Sequence, residues 1–491
     1  MAEGTTTTDR HSAGLIAPAI VFSLLLVVGT WVGKTAHFND PGTYWHVRLG
    51  ADMLKTGQVP RTDTLTVSRA GAAWVDQSWA FDVGVGWIFE RWGWAGLSWA
   101  TGMLIALTYA ALAAWIEARS GRWTIAVAAT LTAAACGSIH FLTRPHIFTF
   151  IGFLVCLVAC WGYWARGSRW VWALPGVVAI WANLHGGFVL GSFVTATSAV
   201  GAVVDAPRDR AAWRRAAGFV GVGLLCGLAG LLNPYGAGLY AHVWGLMVSS
   251  GVTDLIQEHR PGKFLGIEVR VFEIPLMLLL LAPCVWTRRV SRYDTLHAAV
   301  WLHLALGAVR HLPLFGFAFA PVVAQVLSLV VATKADEAGE QGGRVRVGWV
   351  GLLVAGLVAA GSFWIVRDAG PRAEKWPLNG LRRLNAEPVT ARLFHDQDWG
   401  GLISQLSNPE RKAWIDDRFE LWGRAGELEY LDMIRGRSAW DARAREFDLV
   451  WARPKSGLSR RLESDGEWEE LHRDSVSALY GRRGRSERVP P

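Results

Sequence analysis

Eleven apolar runs recur through the first three quarters of the chain, and that repetition leaves few folds open. The first extends from about Leu15 to Ala36, and others follow at 97–116, 123–141, 147–164, 171–183, 187–204, 217–232, 271–286, 295–309, 311–332 and 347–366. A run near twenty apolar residues matches the thickness of bilayer hydrocarbon. Backbone amides there find no water, so each run has to satisfy them internally as a helix. With 491 residues, 52% hydrophobic and 18% charged, the composition fits a polytopic membrane protein that carries one soluble part. The expected fold is therefore mainly α: a membrane helix bundle of about eleven spans over 1–370, with a first outer loop at 37–96 and a soluble α/β domain at 371–491.

Charge orients the bundle. The first dozen residues are polar and no cleavage pattern follows the first run, which therefore reads as a retained helix running outward from the cytoplasm. The turns Glu117–Arg122, Ala165–Arg169, Asp205–Arg215, Thr287–Arg292 and Lys334–Arg346 carry Arg or Lys without dense aromatic motifs, which places them inside by the positive-inside rule. These turns account for the net charge of +8, so nucleic acid is not an expected partner. Eleven spans then put the C-terminal domain outside the cytoplasm. The five cysteines all lie in apolar runs and read as small buried hydrophobes, not as a metal or disulfide framework. Many of the 28 tryptophans cluster near segment ends, where an amphipathic ring suits the headgroup region.

The outer face then receives nearly every polar cluster. It takes the segment His37–Arg48, with Asp40, His46 and Arg48, and Trp74–Trp79, with Asp76 and Trp79. It also takes Arg144-Pro145-His146, Asn183-Leu184-His185, Asn233-Pro234-Tyr235, Glu258-His259-Arg260 and Arg310-His311. Ionisable groups at membrane ends are costly unless they pair or face a cavity, and one shared outward cavity accounts for all of them. Each motif also has a plainer reading. Asp40 before Pro41 is a standard helix start, Asp76 has the same ambiguity, and Pro or Gly after Asn233 and Arg310 are ordinary helix stops. The pairs of short runs around His185 and Arg310 are candidates for tilted, broken or re-entrant helices.

Within the loop, Trp45, Leu49 and Met53 share one helical face beside Arg48, Asp52 and Lys55, which suits an interfacial helix ended by Gly57. A second amphipathic helix is expected over about Ala80–Trp92. In the tail, Val389–Phe394, Lys412–Ile415 and Asp448–Ala452 read as strands, and Gly457–Glu463 as a helix. Trp468–Leu471 and Ala478–Gly481 read as a hairpin around Arg473-Asp474. Asp396/Asp398 and Asp416/Asp417 are acidic pairs that could hold a divalent metal or form turns. No cofactor is expected, and a metal is not supported by the sequence.

The motifs Asp40-Pro-Gly-Thr-Tyr-Trp-His46, Trp74-Val-Asp-Gln-Ser-Trp79, Arg144-Pro-His146, Trp181-Ala-Asn-Leu-His-Gly-Gly187, Asn233-Pro-Tyr-Gly236 and Arg310-His-Leu-Pro313 resemble a bacterial group within the GT-C superfamily of polytopic membrane glycosyltransferases. Asp398-Trp-Gly-Gly and Ile415-Asp-Asp-Arg418 in the tail share that likeness. The resemblance implies an enzyme of the bacterial inner membrane that takes a sugar from a polyprenyl-phosphate donor. Its acceptor would be a hydroxyl on a glycan, lipid or protein, attacked in one inverting displacement. By position, Asp40 carries the catalytic base role. Arg144, His146, Arg260 and Arg310 are candidates to hold the leaving phosphate. Asn183, His185 and Asn233 are candidates for sugar hydroxyls, and Trp45 or Trp79 for stacking on the ring. His46, Arg48, Asp76, Tyr235, Glu258 and His311 complete the candidate substrate contacts. Several GT-C branches carry two adjacent acids where this chain has Asn39-Asp40-Pro41. A lipid-linked sugar transporter, or flippase, would show internal repeats and midplane polar positions, and neither is found. A non-catalytic envelope assembly protein would use the tail as its working part.

Overall fold

A computed structural model of the chain describes residues 15–249, 251, 255, 259–262, 290–331 and 341–484. The chain divides into two compact units: one contains 1–36, 95–236 and 254–368, the other 37–94, 237–253 and 369–491.

The first unit is a helix bundle. Among the described residues, six helices of the chain are long and apolar enough to cross a membrane: Ile16–Ala36, Trp79–Ser120, Trp123–His140, His146–Arg166, Gly186–Asp205 and Val309–Leu329. The helices Arg210–Ala229, Arg292–Gly307 and Gln341–Ile365 occupy further apolar runs. The run 271–286 lies outside the described residues. Around His185 the expected pair of spans is broken. A 3-10 turn and an eight-residue helix, Leu174–Trp181, stop short, and the chain passes through an extended His185 into Gly186–Val189 before helix resumes at Leu190. Large apolar side chains such as Leu24, Val28, Leu224, Leu228, Leu353 and Leu357 stay exposed on the bundle, as a lipid-facing surface requires. At the ends of their helices, Arg119 pairs with Asp294 at 2.6 Å and lies over the rings of Trp115 and Trp161, so this buried charge pair is matched and shielded.

The second unit joins the first loop to the tail. Its sheet has the order β1 (Leu393–His395), β2 (Leu449–Ala452), β4 (Ala478–Arg482), β3 (Trp468–Arg473), with β1 and β2 parallel and the other pairs antiparallel. Asp474 turns the β3–β4 hairpin by accepting bonds from the amides of Val476 and Ser477. Phe394, Trp414, Trp440, Phe447, Val450 and Tyr480 form the core beside the sheet. The expected strand at Lys412–Ile415 does not join that sheet. Its Trp414 amide bonds to His395 Nε2 at 2.8 Å and its Ala413 carbonyl accepts from Val67 of the first loop, so its hydrogen bonds are already taken.

The loop helix Gly42–Thr56 ends where Gly57 turns left-handed (φ 67°), and Trp45, Leu49 and Met53 are buried in a cluster with Leu65, Trp74 and the tail residue Leu421. Facing glycines set its crossing with the helix that starts at Trp79. A side chain at Gly50 would stand 1.8 Å from the Asp82 carbonyl, so only bare backbone fits there. That second helix breaks at Gly93 (φ 55°, ψ −149°), which separates the amphipathic Trp79–Trp92 portion from the apolar stretch that follows.

Candidate active site

Asp40 sits at the start of the loop helix in the way a cap residue does. Its Oδ1 accepts from the amide of Gly42 at 2.8 Å, and Pro41 takes the first helical conformation. The side chain is half-buried.

The tail builds the surroundings of this turn. Trp376 is buried and donates through Nε1 to the Phe38 carbonyl at 3.0 Å, and Tyr44 Oη donates to the same oxygen at 3.0 Å. Lys375 Nζ donates to the Asn39 carbonyl at 2.9 Å. Asp417 accepts from Trp45 Nε1 at 2.9 Å, and its other oxygen and Asp40 Oδ1 both lie within 3.2 Å of where a Cβ on Gly42 would stand. Both carboxylates thus line the space over that glycine. Beyond them, Arg453 binds Asp396 at 2.8 Å and also Asp398, and lies over the ring of Trp399. Loss of solvation, and then the charges of Asp396 and Asp40, push Asp398 up to about 6 against the pull of Arg453 and Lys375.

Of these residues, the sequence marks Asp40, Trp45 and the acidic pairs directly, and Tyr44 and Trp399 as parts of its motifs. Lys375, Trp376 and Arg453 carry no local signal beyond an aromatic before Pro377. The Trp-Gly-Gly motif at 399–401 gains a reason. A side chain at Gly401 would stand 2.6 Å from the Pro41 carbonyl, so Gly401 lets the Gly400–Leu406 helix approach the backbone beside Asp40, and one at Gly400 would stand 2.0 Å from the Ile415 carbonyl, so Gly400 lets the same helix close on the tail backbone.

The other loop candidates lie elsewhere in this unit. Arg48 pairs with Asp52 at 2.9 Å and donates to the Ser404 carbonyl at 3.0 Å. His46 is buried with its Nδ1 2.6 Å from Asp82 Oδ1. Asp76 is buried beside that pair and accepts from the Ser78 amide at 3.1 Å; burial raises it to about 6, partly opposed by its hydrogen bonds. Trp79 is half-buried against the Trp45 cluster.

In the bundle unit, the polar turns converge in part. His146 Nε2 lies 2.6 Å from the His140 carbonyl, and the two rings meet edge to face at 5.5 Å. Arg144 and His185 lie within electrostatic reach of His146, while His140, His259 and Arg310 lie within reach of His311. His259 also bonds directly to Arg310, and the Arg260 carbonyl accepts from the Val309 amide at 3.1 Å. His185 Nδ1 receives the Gly187 amide at 3.1 Å and faces Thr149 Oγ1 at 2.7 Å. A backbone N–H can only donate, so Nδ1 is bare and the ring proton lies on Nε2. Asn183 and Asn233 are bonded to backbone. Asn183 spans the Ala179 and Leu232 carbonyls at 2.8 Å each, and Asn233 closes its own turn onto Gly230, Gly236 and the Tyr235 amide. Glu258 lies outside the described residues. Among the described residues, no three His, Cys, Asp or Glu side chains converge as metal ligands.

No protein-family model matches the chain, and no curated protein matches it in sequence. Solved structures do. The apo oligosaccharyltransferase of Archaeoglobus fulgidus aligns over 98% of this chain and 76% of its own, at 13% identity and a TM-score of 0.54. ArnT from Cupriavidus metallidurans, bound to undecaprenyl phosphate, aligns over 95% of this chain and 98% of its own, at 13% identity and a TM-score of 0.52. The chain has the GT-C fold. At 13% identity, the GT-C likeness rests on the path of the backbone and not on shared side chains.

Proposed function

We propose that the chain is a membrane glycosyltransferase that moves a sugar from a polyprenyl phosphate to an acceptor hydroxyl on the outer face of the bacterial inner membrane, with Asp40 as base. The observation that carries this reading is the construction around Asp40. A half-buried carboxylate caps the loop helix while tail residues Lys375, Trp376 and Asp417 close on its turn. A helix cap alone has no need of such walls. The undecaprenyl phosphate bound to the similarly folded ArnT supports a polyprenyl carrier.

In the proposed step, the acceptor O–H gives its proton to Asp40 as its oxygen bonds to the anomeric carbon. The bond from that carbon to the phosphate oxygen breaks, and the polyprenyl phosphate leaves with the electron pair. The same reading assigns Arg144, His146, Arg260 and Arg310 to the leaving phosphate. It assigns Asn183, His185 and Asn233 to the sugar hydroxyls.

The test is Asp40→Asn in lipid nanodiscs, offered a panel of undecaprenyl-phosphate monosaccharides, with free undecaprenyl phosphate measured by mass spectrometry. Asn caps a helix nearly as well, so stability should fall by at most about 1 kcal/mol. Turnover should fall by about 10²- to 10⁴-fold. A folded Asp40→Asn variant with full turnover refutes the assignment, and a wild type that consumes no member of the panel refutes the activity.

A further inference from the structure

We propose that Lys375 is a positioning residue for Asp40, an ammonium delivered from the C-terminal chain that fixes the Asn39-Asp40 turn and keeps the neighbouring carboxylate ionised. The inference rests on the reading of Asp40 as base and adds what sets that base.

The geometry comes first. Successive tail residues hold successive loop carbonyls: Trp376 Nε1 bonds to Phe38 O and Lys375 Nζ to Asn39 O. The next residue is Asp40, whose own Oδ1 is tied forward to Gly42 N. Trp376 packs edge to face on Tyr44 at 4.9 Å, so the tail dipeptide is anchored at both the backbone and the ring. Trp376 is buried and supplies the adhesion, whereas Lys375 is exposed and adds little burial. A free lysine at the surface would keep its rotamer entropy, so ordering this one on a carbonyl is a net cost unless its charge is used.

The charges around it say how. Asp40 from the loop and Asp398 from the tail face the ammonium. Arg453 also faces it, but Arg453 is bonded to Asp396 and Asp398. Asp417, like Asp40, has a carboxylate oxygen beside Gly42. The carboxylate of Asp398 and the buried phenol of Tyr44 also face Asp40, and a like charge nearby disfavours an ionised carboxylate. The Lys375 ammonium, held on the Asn39 carbonyl, brings a positive charge to the Asp40 turn. Removing its charge makes Asp40 harder to ionise, so a reaction that needs the carboxylate loses rate at the acid end and keeps it at the alkaline end.

The experiment compares Lys375→Met, Lys375→Arg and Asp40→Asn with wild type, using the undecaprenyl-phosphate sugar that the wild type consumes and following turnover from pH 5 to 9. Lys375→Met should shift the acid limb to higher pH by about half a unit to one unit, a roughly three- to tenfold loss at pH 6 with little change at pH 8.5. Lys375→Arg, which keeps the charge, should restore the wild-type limb. A Lys375→Met profile that overlays wild type while Asp40→Asn is inactive overturns the inference and leaves the base standing. A uniform loss at every pH also overturns it, because lost packing has no pH signature. Full turnover by Asp40→Asn removes the base, and the role of Lys375 with it.

Discussion

Arg418→Met is the most demanding test of how the second unit is held together. The Arg418 side chain is 1% exposed and its Nη2 lies 2.7 Å from Asp63 and 2.6 Å from Asp416, both carboxylates being fully buried. Its guanidinium also lies over Trp74 at 4.6 Å and Trp45 at 5.7 Å. One cation thus neutralises a carboxylate from the first loop and one from the tail. Burial pushes Asp416 upward and Arg418 works against that push. Methionine fills much of the same volume but leaves two buried acids without their cation. Breaking a buried pair from one side costs about 3–5 kcal/mol. The remaining donors, the Leu65 and Thr66 amides on Asp63 and the Arg418 amide on Asp416, keep the figure inside that range. At 1.36 kcal/mol per factor of ten, amide exchange of peptides covering 61–68 and 411–422 should quicken by about 10²- to 10³-fold or more at pH 7.5. The defect should shrink toward pH 5. Without Arg418 nothing opposes the burial that raises Asp416 above its unfolded value, so its share of stability is intact at low pH and lost as pH rises through the raised value. Asp63→Asn combined with Arg418→Met should recover part of the protection. Exchange within threefold of wild type at pH 7.5, read by mass spectrometry in nanodiscs, would show that the buried ions do not hold the loop to the tail.

Gly401→Ala should lower thermal stability by about 1–3 kcal/mol and reduce donor turnover, because the new methyl meets the Pro41 carbonyl. Gly466→Ala, which meets nothing within 4 Å, is the control, and equal melting temperatures for the two variants would refute the close-approach argument. Asp76→Asn should stabilise the protein increasingly as pH rises from about 4 to 8. Folded Asp76 is raised to about 6, so its stabilising neutral form is complete below the unfolded value near 4 and is lost as pH passes the folded one. The gap between the variants in a thermal-shift series should reach about 3 kcal/mol at most, and a gap that does not grow with pH sinks this account of the buried carboxyl.

What could be read from the sequence was the part that depends on neighbours along the chain. Apolar length marked membrane helices, Gly57 marked the end of the loop helix, and alternation with turn residues marked β2, β3, β4 and the helix from Gly457. Asp40 drew notice because Asp-Pro is a local pattern. The strand expected at Lys412–Ile415 failed for a long-range reason: its hydrogen bonds go to Val67 and to His395, and no periodicity in 412–415 records that. Lys375 and Arg453 are single basic residues in basic surroundings, and only the fold tells them from the rest. Asp416-Asp417-Arg418 read as an acidic pair before an arginine. In space its members face different ways, Asp416 and Arg418 into the buried ion cluster and Asp417 toward Trp45 and Gly42.

That division has a consequence for assembly. The second unit draws its walls from residues 37–94 and from 369–491, so its closing contacts join positions more than three hundred residues apart. Loop-closure entropy grows only slowly with length, and the intervening helices shorten the effective loop once they are in the membrane. Gly401 admits the tail helix to the loop backbone, while Arg418 supplies a charge that the buried Asp63 lacks until the tail arrives. Before that, the loop holds a carboxylate that cannot be buried as an ion. The turn carrying Asp40 is therefore complete only when the last part of the chain has folded onto the first, which ties the proposed base to the integrity of the tail.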